Sequence, residues 1–491
     1  MARVAVIGAG FAGLSAACTL ADAGMDVTVV EKHGMSGGRA RKFEASGFTF
    51  DMGPSWYWMP DVFERFFARF GRNVSDFYAL KRLNPSYRVV YAQGDTMDIP
   101  ADLQELKHLF ESIEAGSGET LESFLQEARD KYVLSMEDLV YRPGLSLMEL
   151  FDVKILKEVP RMQLFRSMRS ITHRAFQDSR LRQLLEFPVL FLGAKPSETP
   201  ALYSLMNYAD MCLGTWYPQG GFYQVVAGIE SLARSLGVKF SFNSEVTGIE
   251  TAPDRHTLVI NGSRETYDYV VAAADYHHVE QELLPEDVRR YSKKYWQSRT
   301  LAPSCLIYYI GVRRKVDGLL HHNLFFDADF DKHAQQIYDT REWPSSPQFY
   351  VCCPSKTDDS VAPAGMENIF VLIPVAPGLT DSVEVRRHYF AQVVKRMQRV
   401  CDLDESSIVF QRSYAHADFC RDYHAFKGQA YGLANTLGQT AHLKPSIVNK
   451  KLPNLFYAGQ LTVPGPGVPP ALISGQLVAS QLLKSHQNKR R

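Results

Sequence analysis

Residues 3–32 read "RVAVIGAGFAGLSAACTLADAGMDVTVVEK", and this stretch decides the fold. Val4, Val6 and Ile7 form a short apolar run of the kind that makes a buried strand. Gly8, Gly10 and Gly13 follow with G-x-G-x-x-G spacing. Leu14 to Ala23 reads as a helix closed by Gly24, and "DVTVVE" as a second strand ending at Glu31. Each part has a physical task. Gly8 permits the tight turn, Gly10 lets a pyrophosphate reach the backbone, and Gly13 lets helix and strand pack closely. The helix start presents free N–H groups and the positive end of its dipole to phosphate. Glu31 is placed to accept hydrogen bonds from ribose hydroxyls. A glycine triplet alone is a weak signal, but two strands, a helix and an acid around it predict a Rossmann-like dinucleotide-binding unit in an α/β protein.

The next segment, "EKHGMSGGRA", sets Lys32, Gly37, Gly38 and Arg39 behind Glu31. Two glycines and an arginine bring bare backbone and a fixed guanidinium towards the same pyrophosphate. The combined pattern resembles the FAD-binding motif of the amine oxidase and carotenoid desaturase superfamily. "GFTFDMGPSWYW" (47–58) resembles that superfamily's D-x-G-P segment, here Asp51, Gly53 and Pro54. The resemblance implies FAD as cofactor.

At the other end, "NLFYAGQLTVPGPGVPPALISGQLVASQLL" (454–483) joins an apolar run to a loop of glycines and prolines, then to a helix expected from about Ala471 to Leu483. Pro470 suits a first helical turn, where its missing N–H is not needed. A second helix start could face the flavin edge, with Gly459, Gly465 and Gly467 allowing close backbone approach. "PGPGVPPALISG" resembles the C-terminal motif of the bacterial and fungal phytoene desaturase family. "WYPQGGFYQVVAGIESLARSLGVKFSFNSEVTGI" (216–249) resembles its central motif, and "YVVAAADYHH" (269–278) the segment that follows. The resemblance implies flavin contacts from Val246, Gly459, Gly467, Val468 and Pro469. Leu461 and Pro470 stand where many members carry glycine.

Composition narrows the class. The 491 residues are 45% apolar, and 54 Lys+Arg balance 54 Asp+Glu, so no global charge points to nucleic acid. Seven scattered cysteines fit a reduced compartment, and no cysteine, histidine or carboxylate spacing predicts a metal site. "MARVAVIG" reads as a first strand rather than a cleavable leader. No apolar run approaches the roughly 20 residues of a membrane span. A cytoplasmic protein is expected.

The flavin domain is expected to be discontinuous (1–85, 217–285 and 420–491), with a mixed-sheet substrate domain from 86–140 and 286–419. Residues 141–216 are expected to be helical. There Leu164, Met168, Ile171 and Ala175 fall on one helical stripe among Arg161, Arg166, Arg169 and Arg174. The basic amphipathic stretch near 154–191 reads either as a membrane-surface anchor or as a helix packed on its own domain with a solvated basic face. The tail "KSHQNKRR" is expected to be disordered.

No nucleophilic triad announces itself. Flavin carries redox chemistry while protein supplies binding and orientation. The resemblance implies an FAD-dependent desaturase converting phytoene stepwise towards lycopene, on a C40 carotene held in lipid, with oxygen or quinone as electron acceptor. Trp56, Tyr57, Trp58, Trp216, Tyr217 and Tyr431 are the candidate tunnel residues, Asp275 and His277 the candidate proton acceptors. Asp275 could instead cap the helix after its strand. Three other readings stay open: a later-pathway desaturase or ketolase, a non-catalytic prenyl-lipid carrier on the same fold, and an amine oxidase.

Overall fold

In the first strand, β1 (Arg3–Ile7), side chains alternate between two cores. Val4 and Val6 face one apolar cluster, Ala5 and Ile7 another. Both faces are covered, which is why the run is continuously apolar. The computed structural model describes residues 1–146, 149, 162–190 and 193–490. β1 sits at the centre of a parallel sheet ordered β19-β13-β1-β2-β9. It pairs with β2 (Asp26–Val30) and β13 (Tyr269–Ala272), which in turn pair with β9 (Lys239–Ser241) and β19 (Leu455–Tyr457). Strands from both chain ends therefore share one sheet and one C-terminal edge.

Three helices cover one face. The first, Phe11–Asp22, begins directly after the glycine turn, three residues earlier than the sequence suggests. The helix Tyr223–Ser235 packs beside it, and the C-terminal helix, Val468–Arg490, lies across it. The crossing is close. Ser15 Oγ donates to the Leu472 carbonyl at 2.6 Å, and a Cβ on Gly475 would lie 2.2 Å from the Ala12 carbonyl oxygen. The opposite face carries the antiparallel sheet β10 (Val246–Thr251), β11 (His256–Ile260) and β12 (Ser263–Tyr267). Asn261 and Gly262 both take positive φ in the β11–β12 turn, as their sequence predicts.

The second large sheet is mixed, ordered β18-β14-β17-β16-β15-β6-β7. It comprises β6 (Tyr87–Val90), β7 (Thr96–Ile99), β14 (Ser304–Val312), β15 (His322–Phe325), β16 (Phe349–Cys352), β17 (Glu367–Val375) and β18 (Ile408–Tyr414). Only the β15–β6 pair within it runs parallel. Two ribbons complete the strands: β3 (Lys42–Ala45) with β4 (Phe48–Asp51), and β5 (Leu80–Arg82) with β8 (Trp216–Pro218). The segment after β4 is tied to the mixed sheet, where Tyr309 Oη donates to the Met52 carbonyl at 2.7 Å.

Two expectations are corrected. The basic tail is not disordered, because the last helix runs on to Arg490. His486 lies edge-on to Tyr269, and Lys489 donates to Asn454 Oδ1. Nor does one helix carry the stripe from Leu164 to Ala175. Ser167 starts a new helix, Met168–Ala175, by accepting from the Ser170 N–H, and Leu164 lies in the turn before it. Met168, Phe176, Leu181, Leu184, Leu185 and Phe187 are buried in the main core, so this stretch packs on its own protein. Arg169 pairs with Glu186 and Asp331. Phe165 alone of the stretch's large apolar side chains is strongly exposed among the described residues, at 91%. Residues 154–161 and 191 of the amphipathic stretch lie outside the described residues. No described helix is long and apolar enough to cross a membrane.

Candidate functional site

The glycine turn after β1 is built by contacts only glycine permits. Gly8 has φ +100°, and a Cβ on Gly13 would stand 2.0 Å from the Gly8 carbonyl oxygen. Around Gly10, by contrast, an added Cβ would meet no atom within 4 Å. The second glycine pair folds onto this turn. Gly37 N–H donates to the Ala9 carbonyl at 2.8 Å, and a Cβ on Gly38 would lie 3.3 Å from Gly10 Cα. Gly53 in turn packs on the Arg39 carbonyl, 2.5 Å from where its Cβ would be, with Pro54 following it. The three motifs thus form one stack of backbone.

Glu31, 4% exposed, closes this stack. Its carboxylate accepts from Ala9 N–H at 2.8 Å and His33 N–H at 2.9 Å, leaving lone pairs for hydroxyl donors. Arg39 is half-buried; its Nη2 donates to the Gln429 carbonyl at 3.4 Å, while its shielded Nε has no partner among the described residues. Burial pulls the Arg39 pKa down, offset by the nearby Asp275 carboxylate. A half-buried guanidinium with a shielded, unpartnered Nε–H beside bare glycine backbone fits an anionic diphosphate. Lys32, by contrast, is drawn away to the Arg421 carbonyl and His424. Val246 joins Ala5, Ile7 and Val30 in one cluster under the sheet.

At the far end of the chain, Gly459 has φ +119° with no atom within 4 Å of a built Cβ, and its N–H is held by Ser474 Oγ at 3.0 Å. Gly467 precedes a helix start in which Val468, Pro469 and Pro470 form the first turn. β1 and β19 run parallel through β13, so both helices begin at the same sheet edge. Two helix N-termini therefore lie at one sheet edge, with open space beside Gly10 and Gly459.

The aromatic candidates divide. Trp56 and Trp58 lie 5.1 Å apart and continue through Tyr87 and Phe187 into an aromatic wall. A buried polar chain sets this wall: Trp58 Nε1–H donates to Thr215 Oγ1 at 2.8 Å, Thr215 to Asp210 at 3.2 Å, and Tyr87 Oη to Asp210 at 2.7 Å. Burial pushes Asp210 up to about 7. Trp216 and Tyr217, neighbours on β8, point to opposite faces. Trp216 lies under Arg82, whereas Tyr217 donates to Asp358 Oδ2 and meets His321 edge-on. Tyr431 lies near Cys305.

The proton-acceptor candidates are otherwise engaged. Asp275 Oδ1 accepts from His278 N–H, and Oδ2 accepts from Phe426 N–H and Gln429 Nε2. It is the cap, and its three accepted bonds fix it there. His277 stacks on Phe426 at 3.9 Å, and burial lowers it to about 4. Sequence reasoning missed the wall residues Tyr350 and His322. His322 stacks flat on Trp56 at 4.2 Å and 10°, a neighbourhood created only by sheet pairing.

Comparison with known proteins agrees with this geometry. Residues 11–483 match the family described as flavin containing amine oxidoreductase. The chain belongs to that family.

Like its other members, this flavin containing amine oxidoreductase takes FAD. It is 43% identical over 484 residues to the carotenoid 3,4-desaturase of Haloarcula japonica, covering 98% of each chain. It is 33% identical over 489 residues to the zeta-carotene-forming phytoene desaturase of Myxococcus xanthus, covering 98% of this chain and 94% of that one. Among solved structures, an oxidoreductase from Methanosarcina mazei superposes with TM-score 0.62 at 16% identity, over 97% and 100% of the two chains. Putrescine oxidase superposes with TM-score 0.61 at 15% identity, over 98% and 99%. These structural likenesses show the fold.

Proposed function

We propose that this chain is an FAD-dependent carotenoid desaturase that introduces double bonds into phytoene stepwise towards lycopene. The observation that carries this reading is a cleft with two helix starts at one sheet edge, in a chain whose family relatives over nearly full length are desaturases of carotenoids. Bound FAD supplies the two-electron acceptor for removing hydrogen from adjacent carbons. The chain's residues bind and orient. Glu31 holds the ribose end, Arg39 faces the diphosphate, and the Trp56–Trp58–Tyr87–Phe187 wall lies along an apolar substrate and keeps water out. Asp275 acts by holding the Phe426–Gln429 turn against Arg39 rather than by taking a proton. The flavin-binding part comprises 1–85, 217–285 and 420–491, and the substrate part 86–140 and 286–419. A membrane surface supplies the hydrocarbon, met by the basic stretch near 154–191, in which Phe165 is exposed. Electrons leave to oxygen or a quinone.

A second reading is favoured by the higher identity to the 3,4-desaturase: the same chemistry on a later carotenoid. Expression in two bacterial hosts, one accumulating phytoene and one a later carotene, with pigments identified by chromatography, separates them. Coloured products from phytoene support the first reading. Conversion only of the later carotene supports the second. Both carotenes left unchanged by flavin-loaded protein refute desaturation.

A further inference from the structure

β15 and β16 place His322 directly opposite Cys352, on one face of the mixed sheet. Residues directly opposite in an antiparallel pair have neighbouring side chains. His321 is pinned beside them, since its carbonyl accepts from Cys353 N–H at 2.7 Å. The two imidazoles sit 4.4 Å apart at 70°. A ring nitrogen of each and the Cys352 thiol all lie within 4.8 Å of one another, and all three residues are buried.

The hydrogen bonding of this trio is unfinished on one side only. His321 Nδ1 meets Thr357 Oγ1 at 2.5 Å, and His322 Nδ1 meets Tyr350 Oη at 2.6 Å. Both Nε2 atoms are buried without a partner among the described residues. Buried polar atoms seldom go unpaired. With each Nδ1–H donated to its hydroxyl, each Nε2 presents a lone pair, the arrangement in which a second partner fixes the tautomer of a metal-ligating histidine. A cavity of about 20 Å³, bordered by Asp51, Ser55 and Tyr217, is lined by His321 and Cys352, with His322 behind its wall. That is room for one small ion or water and too little for a carotenoid end. Asp358 and Lys81 lie beside His321, and Asp51 beside Cys352.

We propose that His321, His322 and Cys352 form a binding site for a borderline-soft divalent cation of the zinc class. Two imidazoles and a thiolate suit zinc(II), with a fourth position left open. On binding, the Cys352 S–H bond breaks, its electron pair forms the S–metal bond, and the proton leaves to solvent. The two Nε2 lone pairs complete the set, and both Nδ1–H bonds are kept. Because binding displaces the thiol proton, uptake strengthens as pH rises. A cation here ties the β15–β16 pair to the Trp56 segment through His322.

The FAD-loaded protein, dialysed against zinc(II) buffered by a competing chelator, is assayed for metal per flavin by elemental mass spectrometry. One zinc per FAD is expected, with affinity reduced at least tenfold in Cys352→Ala and in His321→Ala, and unchanged in the control Cys420→Ser. X-ray absorption at the zinc edge of the unsubstituted protein is an independent readout that needs no variant. It should show one sulfur near ~2.3 Å and two nitrogens near ~2.0 Å. No zinc uptake, uptake equal in wild type and both alanine variants, or a shell of oxygen and nitrogen alone overturns the assignment.

Discussion

Replacing Gly475 with alanine tests whether the two helix starts are held as closely as described. The added methyl would stand 2.2 Å from the Ala12 carbonyl oxygen, 2.8 Å from Ala16 N and 2.8 Å from Ser15 Cβ. A carbon–oxygen contact needs about 3.2–3.4 Å, so the first and last helices must part by roughly 1 Å. Overpacking of this kind costs ~1–3 kcal/mol. Stretching the 2.6 Å Ser15–Leu472 hydrogen bond adds about 1 kcal/mol. With an unfolding entropy of ~2.1 cal/mol/K per residue, 491 residues give ~1 kcal/mol/K. The melting temperature should therefore fall by about 2–4 °C. Because the parted helices aim their first turns at one cleft, FAD affinity should also drop about tenfold. Calorimetry measures the first effect and fluorescence titration of released flavin the second. An alanine variant with unchanged melting temperature and unchanged flavin affinity would refute the close crossing, and with it the shared cleft.

Glu31→Gln leaves one acceptor oxygen for two backbone donors, Ala9 and His33. FAD dissociation should strengthen ~10–100-fold, read by flavin retained through gel filtration; full retention contradicts the role given to Glu31. Asp210 titrates near 7 when folded, because burial raises it, against about 4 unfolded. Its contribution to stability is thus complete below about pH 4 and is lost as pH rises through 7. Asp210→Asn should flatten the melting temperature over that window, and an unaltered pH profile counts against the network behind Trp58 and Tyr87. Removing residues 484–491 should lower the melting temperature by ~1–2 °C, as the helix end loses Tyr269 and Asn454; a tail without contacts would leave it untouched.

The stacked glycine turns of the candidate site were legible because their determinants are local. The G-x-G-x-x-G spacing, Gly38, Gly53 and the proline-led last helix each encode a turn within a few residues, and the fold merely stacks them. What could not be read depends on partners far away in sequence. His322 and Cys352 are thirty residues apart and become neighbours only through strand register. The tail was misjudged because its charge signals solvation, whereas Tyr269 and Asn454 supply docking sites no local rule sees. The helical stripe from Leu164 failed at Ser167, whose cap outcompetes periodicity. Asp275 was ambiguous between acid and cap in the sequence because its partner Phe426 is far away in the chain; the structure shows it capping His278 and accepting from Phe426.

The central position of β1 has a bearing on how the protein is made. Its two sheet neighbours come from residues 26–30 and 269–272, and the strand beyond from 455–457. On a ribosome adding roughly 5–20 residues per second, one edge of β1 stays unpaired until more than half the chain has emerged. On the proposed reading, the flavin would gain its second helix start only once the helix Val468–Arg490 has emerged. Cofactor loading would then follow closure of the sheet, and a chain stopped before β13 would leave one edge of β1 unsatisfied.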